Sequence, residues 1–408
     1  MKEIHVTTRI VIADRLFDGH RLFDGPERTA VVMVDGVIEA VGRSDELTQK
    51  YPGAEVDDYA GATVLPGLID CHVHSTLPGD GTPPDDAAAR DVTDRHATAA
   101  VNLAAHLAAG VTTVRDLGSH EDFLGFEPDP SASPRLLRVG PPITESKGHM
   151  HFFGGGSGSS ADAVDRMNRS LALGAFGVKI VGSGGGTVGT VPHETTLTED
   201  FVAAVVEAAH RRDRVVTTHA LSGEGVRRAI TAGSDGVEHL AFMEEDGSSV
   251  AAPPADILEM AREAGTAFGS TLGVNYRYID LAERGVLDPY ELEEQKLKTA
   301  DYLRGAGQVH AAGVRIVTGS DAGWKLTAFG DFALEPELLV QAGFSEVDAL
   351  NAATAAPADY LKLRDLGVLA PRARADLLVV TGDPTTTISD LRNVAAVYLD
   401  GVQVVGAR

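Results

Sequence analysis

Short apolar runs alternate with amphipathic, alanine-rich segments from about residue 63 to residue 363, and this repeated pattern most constrains the fold. Strands that alternate with helices are typical of a parallel β-sheet covered by helices. Eight candidate strands can be counted, the number in a closed barrel of βα units. They are "ATVLPGLIDCHVH", Gly110–Asp116, Pro134–Gly140, Phe176–Val181, Arg214–His219, Asp235–His239, Gly265–Ser270 and Gly313–Asp321. The pattern predicts an α/β fold, a (β/α)8 TIM-like barrel.

The two ends of the chain have a different pattern. Residues 1–62 and 365–408 contain alternating apolar and polar runs joined by Asp-Gly turns, as in "RTAVVMVDGVIEAVG" and "AAVYLDGVQVVG". Such runs predict β-hairpins. We therefore expect a small β-sandwich domain formed by both chain termini, beside a barrel of residues 63–364. The alternative is a doubly wound sheet, which needs a switch point and a glycine-rich phosphate loop after its first strand; neither is evident.

Composition narrows the class of partner. The chain has 408 residues and a formal net charge of −24, which disfavours nucleic acid and anionic membrane surfaces. It contains no run of roughly 18 apolar residues, and its first residues lack the apolar block of a signal peptide. We expect a soluble cytoplasmic protein with a small-molecule substrate, and neither a nucleic-acid nor a membrane partner.

The first candidate strand ends in two histidines. In "LPGLIDCHVHS", His72 and His74 are two residues apart, so a strand would direct both imidazoles to one face. Two histidines on one face form a chelate for a metal, although a solvated pair would fit the same sequence. Cys71 is the only cysteine, which excludes an internal disulfide and a cysteine-rich zinc site. Strict alternation predicts that Cys71 points away from both histidines.

Other candidate strands end in residues of the same kind. Lys179 lies in the fourth strand, His219 closes the fifth, His239 closes the sixth, and Asp321 follows the eighth. Catalytic groups of barrel enzymes lie at the C-terminal ends of the strands. Each residue alone is weak evidence, because a histidine at a strand end is often only hydrogen-bonded. Five strands that deliver such groups to one end together predict a metal site.

Lys179 interrupts the apolar run "FGVKIV". A bare ammonium group buried in a strand is costly, and burial depresses the pKa of a lysine. The neutral amine could then add carbon dioxide and form a carbamate, an anionic ligand with two oxygens that is able to bridge two metals. The alternative is a lysine at a strand edge whose ammonium group reaches solvent.

Several motifs together resemble the amidohydrolase superfamily. They are "PGLIDCHVH", "GVTTVRDLG", "VKIVGSGGG", "HAL", "VEHL", "GSDAG" and the C-terminal "NAATAAPADYLKLRDLGVLAPRARADLLVV". Within the superfamily they resemble the imidazolonepropionase-related branch, which holds prolidase-like carboxypeptidases and acyl-amino-acid hydrolases. The resemblance covers nearly the whole chain. It implies a barrel with a terminal β-sandwich, in agreement with the strand pattern, and a homo-oligomer.

The resemblance also implies a ligand set for two divalent metal ions, for which we expect zinc. It places one ion on His72, His74 and Asp321 and the second on His219 and His239, with carboxylated Lys179 bridging the two.

Candidates for substrate binding lie in loops. The segment "ITESKGHMHFFGGG" resembles a loop of the branch that follows the third strand, which makes His149 and His151 candidates. Arg115, Tyr276 and Arg277 lie near strand ends and could hold a carboxylate. Where the branch often carries a His-Gly pair after the eighth strand, this chain has "AFGDF", which leaves the polarity of the substrate open.

Together these features predict a metal-dependent hydrolase that cleaves an amide-type C–N bond of a peptide, an N-acyl amino acid or a cyclic amide. The nucleophile would be a hydroxide that bridges the metals, and Asp321 would carry its proton to the leaving nitrogen. One alternative is a mononuclear deaminase or imidazolonepropionase-like cyclic amidine hydrolase, without a carbamate. Another is a scaffold that has lost its chemistry.

Overall fold

A computed structural model describes residues 8–23, 27–250, 252–285 and 292–406. The strands in these ranges are β1 Thr8–Phe17, β2 Leu22–Phe23, β3 Thr29–Val34, β4 Val37–Arg43, β5 Glu55–Pro66, β6 Leu68–Val73, β7 Val111–Asp116, β8 Arg135–Arg138, β9 Thr144–Glu145, β10 Gly156–Ser157, β11 Val178–Val181, β12 Val216–His219, β13 Gly236–Glu238, β14 Ala267–Gly269, β15 Ile316–Val317, β16 Leu377–Thr381, β17 Val394–Leu399 and β18 Val402–Val405.

The helices alternate with the central strands. They are α1 Ser44–Lys50, α2 Pro84–Ala88, α3 Val92–Ala108, α4 Ser160–Ala172, α5 Glu199–His210, α6 Gly223–Thr231, α7 Ala255–Ala264, α8 Gly273–Glu283, α9 Leu292–Ala311, α10 Leu334–Gln341, α11 Glu346–Ala352 and α12 Ala355–Tyr360. Short 3-10 helices cover Glu121–Gly125, His151–Phe153 and Ile388–Arg392. None of the helices in the described ranges is both long and apolar enough to span a bilayer.

All eight candidate strands of the central region are strands in the structure, and they form two parallel sheets. One sheet has the order β6-β7-β8, and the other has the order β11-β12-β13-β14-β15. Backbone hydrogen bonds connect the edges of the two sheets at both seams: the Cys71 N–H donates to the Thr318 carbonyl at 3.0 Å, and the Phe176 N–H donates to the Arg138 carbonyl at 2.7 Å. Among the described residues the ladders are not continuous across these seams, so the strands do not form one closed barrel.

Helix α5 illustrates why the intervening segments are helical. The Thr198 hydroxyl caps the helix by accepting a hydrogen bond from the Phe201 N–H at 3.3 Å. Glu199 and Asp200 occupy the first turn, where carboxylates interact favourably with the helix dipole. The apolar stripe of the helix, which includes Val205, packs against the outer face of β11. The helix therefore covers the strand that carries Lys179.

Strands from both ends of the chain form one eight-stranded sheet with the order β18-β17-β16-β5-β1-β3-β4, to which β2 is attached through β1. β16 pairs antiparallel with β5, so the C-terminal strands join directly to the N-terminal ones. The Asp-Gly turns that connect β3 to β4 and β17 to β18 have positive φ at both residues, as hairpin turns of this kind require. The division of this sheet into a sandwich, and the domain boundaries at residues 62 and 365, stay predictions.

Candidate metal centre

The C-terminal ends of the parallel strands surround a cavity of about 450 Å³. The structure places all six predicted metal-site residues in its lining: His72, His74, Lys179, His219, His239 and Asp321. Five of these residues are buried, and His239 is half-buried. The cavity is therefore a polar pocket inside the sheet assembly, at the end where the sequence places the site.

His72, His74 and Asp321 form the tightest group of metal-binding atoms among the described residues. Asp321 Oδ1 lies 3.4 Å from His72 Nε2 and 3.3 Å from His74 Nε2. The Nδ1 atom of His74 donates to the Gly118 carbonyl at 3.1 Å, and Nδ1 of His72 donates to Glu238 at 2.9 Å. Since both Nδ1 atoms are used as donors, the Nε2 lone pairs face Asp321. Two imidazole lone pairs and a carboxylate oxygen are donors that zinc prefers.

Two buried polar atoms in this cavity lack a hydrogen-bond partner among the described residues: Asp321 Oδ1 and Lys179 Nζ. Unpaired buried polar atoms are rare in native structures, and each indicates an interaction that protein atoms do not supply. A metal ion beside Asp321 supplies such an interaction. The residues present therefore fit a divalent cation.

His219 and His239 lie directly beside this group. The Nδ1 atom of His219 is 2.7 Å from Nε2 of His239, and Nε2 of His219 donates to the Gly184 carbonyl at 2.8 Å. Burial lowers the pKa of His219 to about 3, so the imidazole is neutral at pH 7. The ring of His239 lies 5.1 Å from the ring of His72, measured between centroids. A second pair of ring nitrogens is thus available next to the first.

Lys179 is 2% exposed and points into the same cavity. Burial lowers the pKa of its amine to about 8, although the carboxylates of Glu238 and Asp321 oppose the shift. About a tenth of the amine is therefore neutral at pH 7, and the neutral amine is the form that can react with carbon dioxide.

Backbone strain is concentrated around the cavity. Eleven non-glycine residues in the described ranges have positive φ, and five of them line the cavity. These five are Met150, His239, Thr271, Asp321 and Lys325. Positive φ costs energy in residues with a side chain and tends to persist at functional sites.

The structure places some of the predicted substrate-binding residues in the cavity lining and others outside it. His149 is buried in the cavity lining, and its Nδ1 lies 2.7 Å from the Thr187 hydroxyl. Burial lowers the pKa of His149 well below its ordinary value. His151 is exposed outside the cavity, where its Nδ1 donates to the Gly148 carbonyl at 3.0 Å. Of the two loop histidines, only His149 can reach a molecule in the cavity.

The structure corrects the prediction that Arg115 binds the substrate. Its guanidinium group is 2% exposed and donates to the Cys71 carbonyl, to the Tyr360 hydroxyl and to Glu238, the last at 2.9 Å. These contacts occupy the donors below the cavity, so Arg115 does not line it.

Tyr276 and Arg277 also lie elsewhere. Both belong to α8, but Tyr276 packs on the hydrophobic core and Arg277 pairs with Asp331. The helix instead presents Val274, Asn275 and Tyr278 to the cavity, three residues on its other face.

The side chain of Cys71 does not follow the strict two-residue alternation of a regular strand. The pairing register between β6 and β7 shifts between Asp70 and Val73, which interrupts the two-residue period at this point. Cys71 packs in a buried cluster with Ile69 and Val317 and is absent from the cavity lining. Both histidines nevertheless face Asp321.

Sequence reasoning missed Glu238. Its carboxylate is buried, holds His72 through Nδ1 and pairs with Arg115. Burial acts to raise the pKa of Glu238, but the charges of Lys179 and His72 and the other contacts hold it below its ordinary value. A charged residue inside the short buried run "DGVEH" is the same signal that identified Lys179.

Parallel βα units with a buried cluster of metal-ligand residues at the strand ends define a class of α/β protein with a candidate metal site. The chain belongs to the amidohydrolase family, whose sequence model matches residues 63–404. A model of the imidazolonepropionase-like composite domain of bacteria matches residues 30–54. The resemblance inferred from the motifs is confirmed, and family membership makes the chain a hydrolase with a TIM-barrel-type α/β fold.

Several related proteins match this chain over almost its full length. The ochratoxinase of Aspergillus niger is 25% identical over 407 residues, which cover 90% of this chain and 80% of the relative. An uncharacterized protein of Mycobacterium tuberculosis is 28% identical over 384 residues, with 92% of each chain covered. The crystal structure of a Xaa-Pro dipeptidase with bound methionine matches with a TM-score of 0.81 and 24% identity, over 97% of this chain and 99% of the other. The structural likeness shows the shared fold.

Proposed function

We propose that the chain is a metal-dependent hydrolase that cleaves an amide-type C–N bond. The observation that carries the proposal is that two buried atoms without a hydrogen-bond partner, Asp321 Oδ1 and Lys179 Nζ, lie in one cavity with four imidazoles. A cluster with these donors is suited to divalent cations and leaves room for a small molecule.

The residues divide into two ligand groups. His72, His74 and Asp321 would hold one ion, His219 and His239 would hold a second, and Lys179 as a carbamate would lie between them. When bound, such ions lower the pKa of a coordinated water and polarise a carbonyl oxygen. Glu238 and the Gly118 carbonyl fix the rings of His72 and His74, so the ligand atoms are oriented before any ion arrives.

Asp321 is suited to move the proton in this reaction. Water adds to the carbonyl carbon, the C–N bond breaks, and the proton released by the water must reach the leaving nitrogen. The carboxylate of Asp321 lines the cavity beside the proposed metal ligands, so it is placed to accept that proton and to pass it on. Opposing the effect of burial, the contacts with His72 and His74 hold the pKa of Asp321 below its ordinary value. The carboxylate is therefore ionised, as a proton acceptor must be.

The proposed substrate is a peptide, an N-acyl amino acid or a cyclic amide. The range is supported by relatives named ochratoxinase and Xaa-Pro dipeptidase. The proposal also includes a β-sandwich of the terminal strands and a homo-oligomer in the cytoplasm. Light scattering of the purified chain tests the oligomer.

Metal analysis of the purified protein tests the proposal directly. We expect two divalent ions per chain and hydrolysis of at least one compound from a panel of N-acyl amino acids, Xaa-Pro dipeptides and cyclic amides. His72→Ala should lower the metal content, whereas His151→Ala, at an exposed histidine outside the cavity, should leave it at two. One ion per chain would favour the mononuclear alternative. A protein that binds no metal and cleaves nothing in the panel would refute the proposal.

A further inference from the structure

The charge of the cavity is opposite to that of the chain. The protein has 59 acidic and 35 basic residues, excluding histidine. Among the described residues, however, the charged side chains that line the cavity outside the proposed metal site are two lysines, Lys298 and Lys325. An excess of cations in the pocket of an acidic protein favours an anionic ligand.

The charged residues that line the cavity do not have equal roles. Lys179 and Asp321 belong to the proposed metal site. Lys298 already makes an interaction of its own. Lys325 is exposed, and its ammonium group has no hydrogen bond or ion pair with any residue that the structure describes. In a chain with a large excess of carboxylates, an unpaired lysine at a cavity is a candidate for binding a ligand from solution.

The conformation of the backbone determines where the Lys325 side chain lies. The residue lies four positions after Asp321 and has φ of 48°. Its ammonium group lies over Gly186, where a β-carbon would come within 2.8 Å of Lys325 Nζ. A β-carbon at the neighbouring Gly185 would come within 2.6 Å of His149 Nε2. The two glycines therefore allow a lysine and a histidine to approach the same stretch of loop, on one side of the cavity.

Part of the cavity wall is apolar. Leu272, Val274, Met243 and Leu326 line it together with the rings of Tyr278 and Trp324. An amide substrate that fills such a cavity would place an apolar group against this wall and a negative group at Lys325, with the carbonyl at the metal ligands.

We infer that Lys325 binds the carboxylate of the substrate and that the substrate class is an N-acyl amino acid or peptide with a free carboxylate and an apolar side chain. The inference rests on the proposed function and narrows it, since it excludes neutral cyclic amides as the preferred substrates. Lys325 contacts the substrate and does not contact the metal ligands, so its effect is on specificity.

Matched pairs of substrates test this inference. Each N-acyl L-amino acid or dipeptide is supplied as the free acid and as its C-terminal carboxamide, and release of the acyl group is followed by chromatography. We expect the metal-loaded wild type to prefer the acids. Lys325→Met should lower kcat/KM for the acids by about 10- to 100-fold, mainly through KM, because a charge-assisted hydrogen bond is lost. Its kcat/KM for the carboxamides should stay within about 2-fold of wild type.

Two further variants control for charge and for folding. Lys325→Arg keeps a cation and should retain most of the preference for the acid. Lys50→Met makes the same change of net charge on exposed α1, far along the chain from the cavity residues, and should leave both substrates unaffected. Equal losses in Lys325→Met and Lys50→Met would overturn the inference, because they would reflect net charge alone.

The remaining outcomes separate the inference from the proposed function. Cleavage of acids and carboxamides at equal rates, or of cyclic amides only, would overturn the inference and leave the hydrolase proposal intact. Absence of cleavage of any amide would refute the hydrolase proposal. Calorimetric binding of N-acetyl-L-phenylalanine to wild type and to Lys325→Met then still decides the inference: weaker binding by the variant supports it, and equal binding or none overturns it.

Discussion

Replacement of Glu238 by Gln should destabilise the protein and weaken the metal site at the same time. The Glu238 carboxylate lies 2.9 Å from Arg115 Nη2, 2.9 Å from His72 Nδ1 and 2.5 Å from the Thr217 hydroxyl. Gln keeps the shape of the side chain but removes its charge, and its amide nitrogen is a donor. One of the groups that now donate to Glu238 would therefore face another donor.

The magnitude follows from the burial of the pair. Two unit charges about 4 Å apart interact by about 4 kcal/mol at an effective dielectric constant of about 20. Breaking a buried pair by removing one partner costs about 3–5 kcal/mol, because the other charge stays buried. With about 2.1 cal/mol/K of unfolding entropy per residue over 408 residues, this loss corresponds to a fall in Tm of about 4–6 °C if the chain unfolds in one transition.

The assay uses metal-free protein, so that stability and metal binding are measured separately. Thermal unfolding after chelation gives the change in Tm. A titration with zinc gives the affinity, which should fall by about 10- to 100-fold because His72 loses the group that orients it. Glu259→Gln, an exposed change on α7, is the matched control and should alter the free energy of unfolding by no more than about 0.5 kcal/mol.

A double variant decides whether the loss comes from the unpaired charge. Arg115→Met combined with Glu238→Gln removes both charges, so the double variant should be more stable than the sum of the two single changes predicts. Additive losses would show that Arg115 and Glu238 are not coupled. An unchanged Tm together with unchanged zinc affinity in Glu238→Gln would refute the reasoning altogether.

Three further predictions concern other buried groups. Asp321→Asn, which keeps a residue type that tolerates the positive φ at this position, should lower kcat by about 10²- to 10⁴-fold while metal content falls far less; loss of metal in proportion to activity would limit Asp321 to a ligand role. Lys179→Ala should lower the metal content below two per chain and abolish turnover, and added acetate should restore part of both; two metals with full turnover would refute a bridging carbamate. Burial raises the pKa of Glu335 from its ordinary 4.5 to about 7, against the hydrogen bonds of Ser270 and the Gly273 N–H. A raised carboxyl pKa means that the wild type loses stability as pH rises from about 4.5 to about 7. Glu335→Gln has no such group, so its Tm minus that of the wild type should increase across this window and stay level above it. Calorimetry at several pH values measures this difference.

The sequence predicted the metal-site cluster because its signals are local. A strand directs alternate side chains to one face, and parallel strands bring their C-terminal ends to one edge, so strand ends alone place His72, His74, His219 and Asp321 near one another. Lys179 was identified because a charged residue in a buried strand needs an explanation. The same reasoning applied to Glu238 would have found it.

Tyr276 and Arg277 were misplaced because their positions depend on where a helix begins. The last strand before them, β14, ends at Gly269, and α8 begins at Gly273. With 3.6 residues per turn, Val274 and Tyr278 share one face of the helix, and Tyr276 and Arg277 lie on the other. A shift of two residues in the start of the helix would exchange these faces, and the sequence does not fix the start so closely.

The pairing of Arg115 with Glu238 depends on contacts across the interior. Arg115 lies in β7 and Glu238 in β13, and these strands belong to different sheets. No periodicity along the chain relates them. The sequence places Arg115 near a strand end and leaves open whether its guanidinium group points to solvent, to substrate or to an internal carboxylate.

The strained backbone at the cavity also depends on contacts between residues that are far apart in the chain. Positive φ at a non-glycine residue costs on the order of 1–3 kcal/mol and persists only where the surroundings hold it. Here adjacent strands hold it: the N–H of Asp321 donates to the His72 carbonyl at 2.8 Å, that of His239 to the Gly269 carbonyl at 3.0 Å, and that of Thr271 to the Gly319 carbonyl at 3.0 Å. Three of the five strained residues at the cavity are thus tied to a neighbouring segment by their own backbone N–H groups. These hydrogen bonds hold the backbone that carries the His239 and Asp321 side chains, which preorganises two of the proposed ligands.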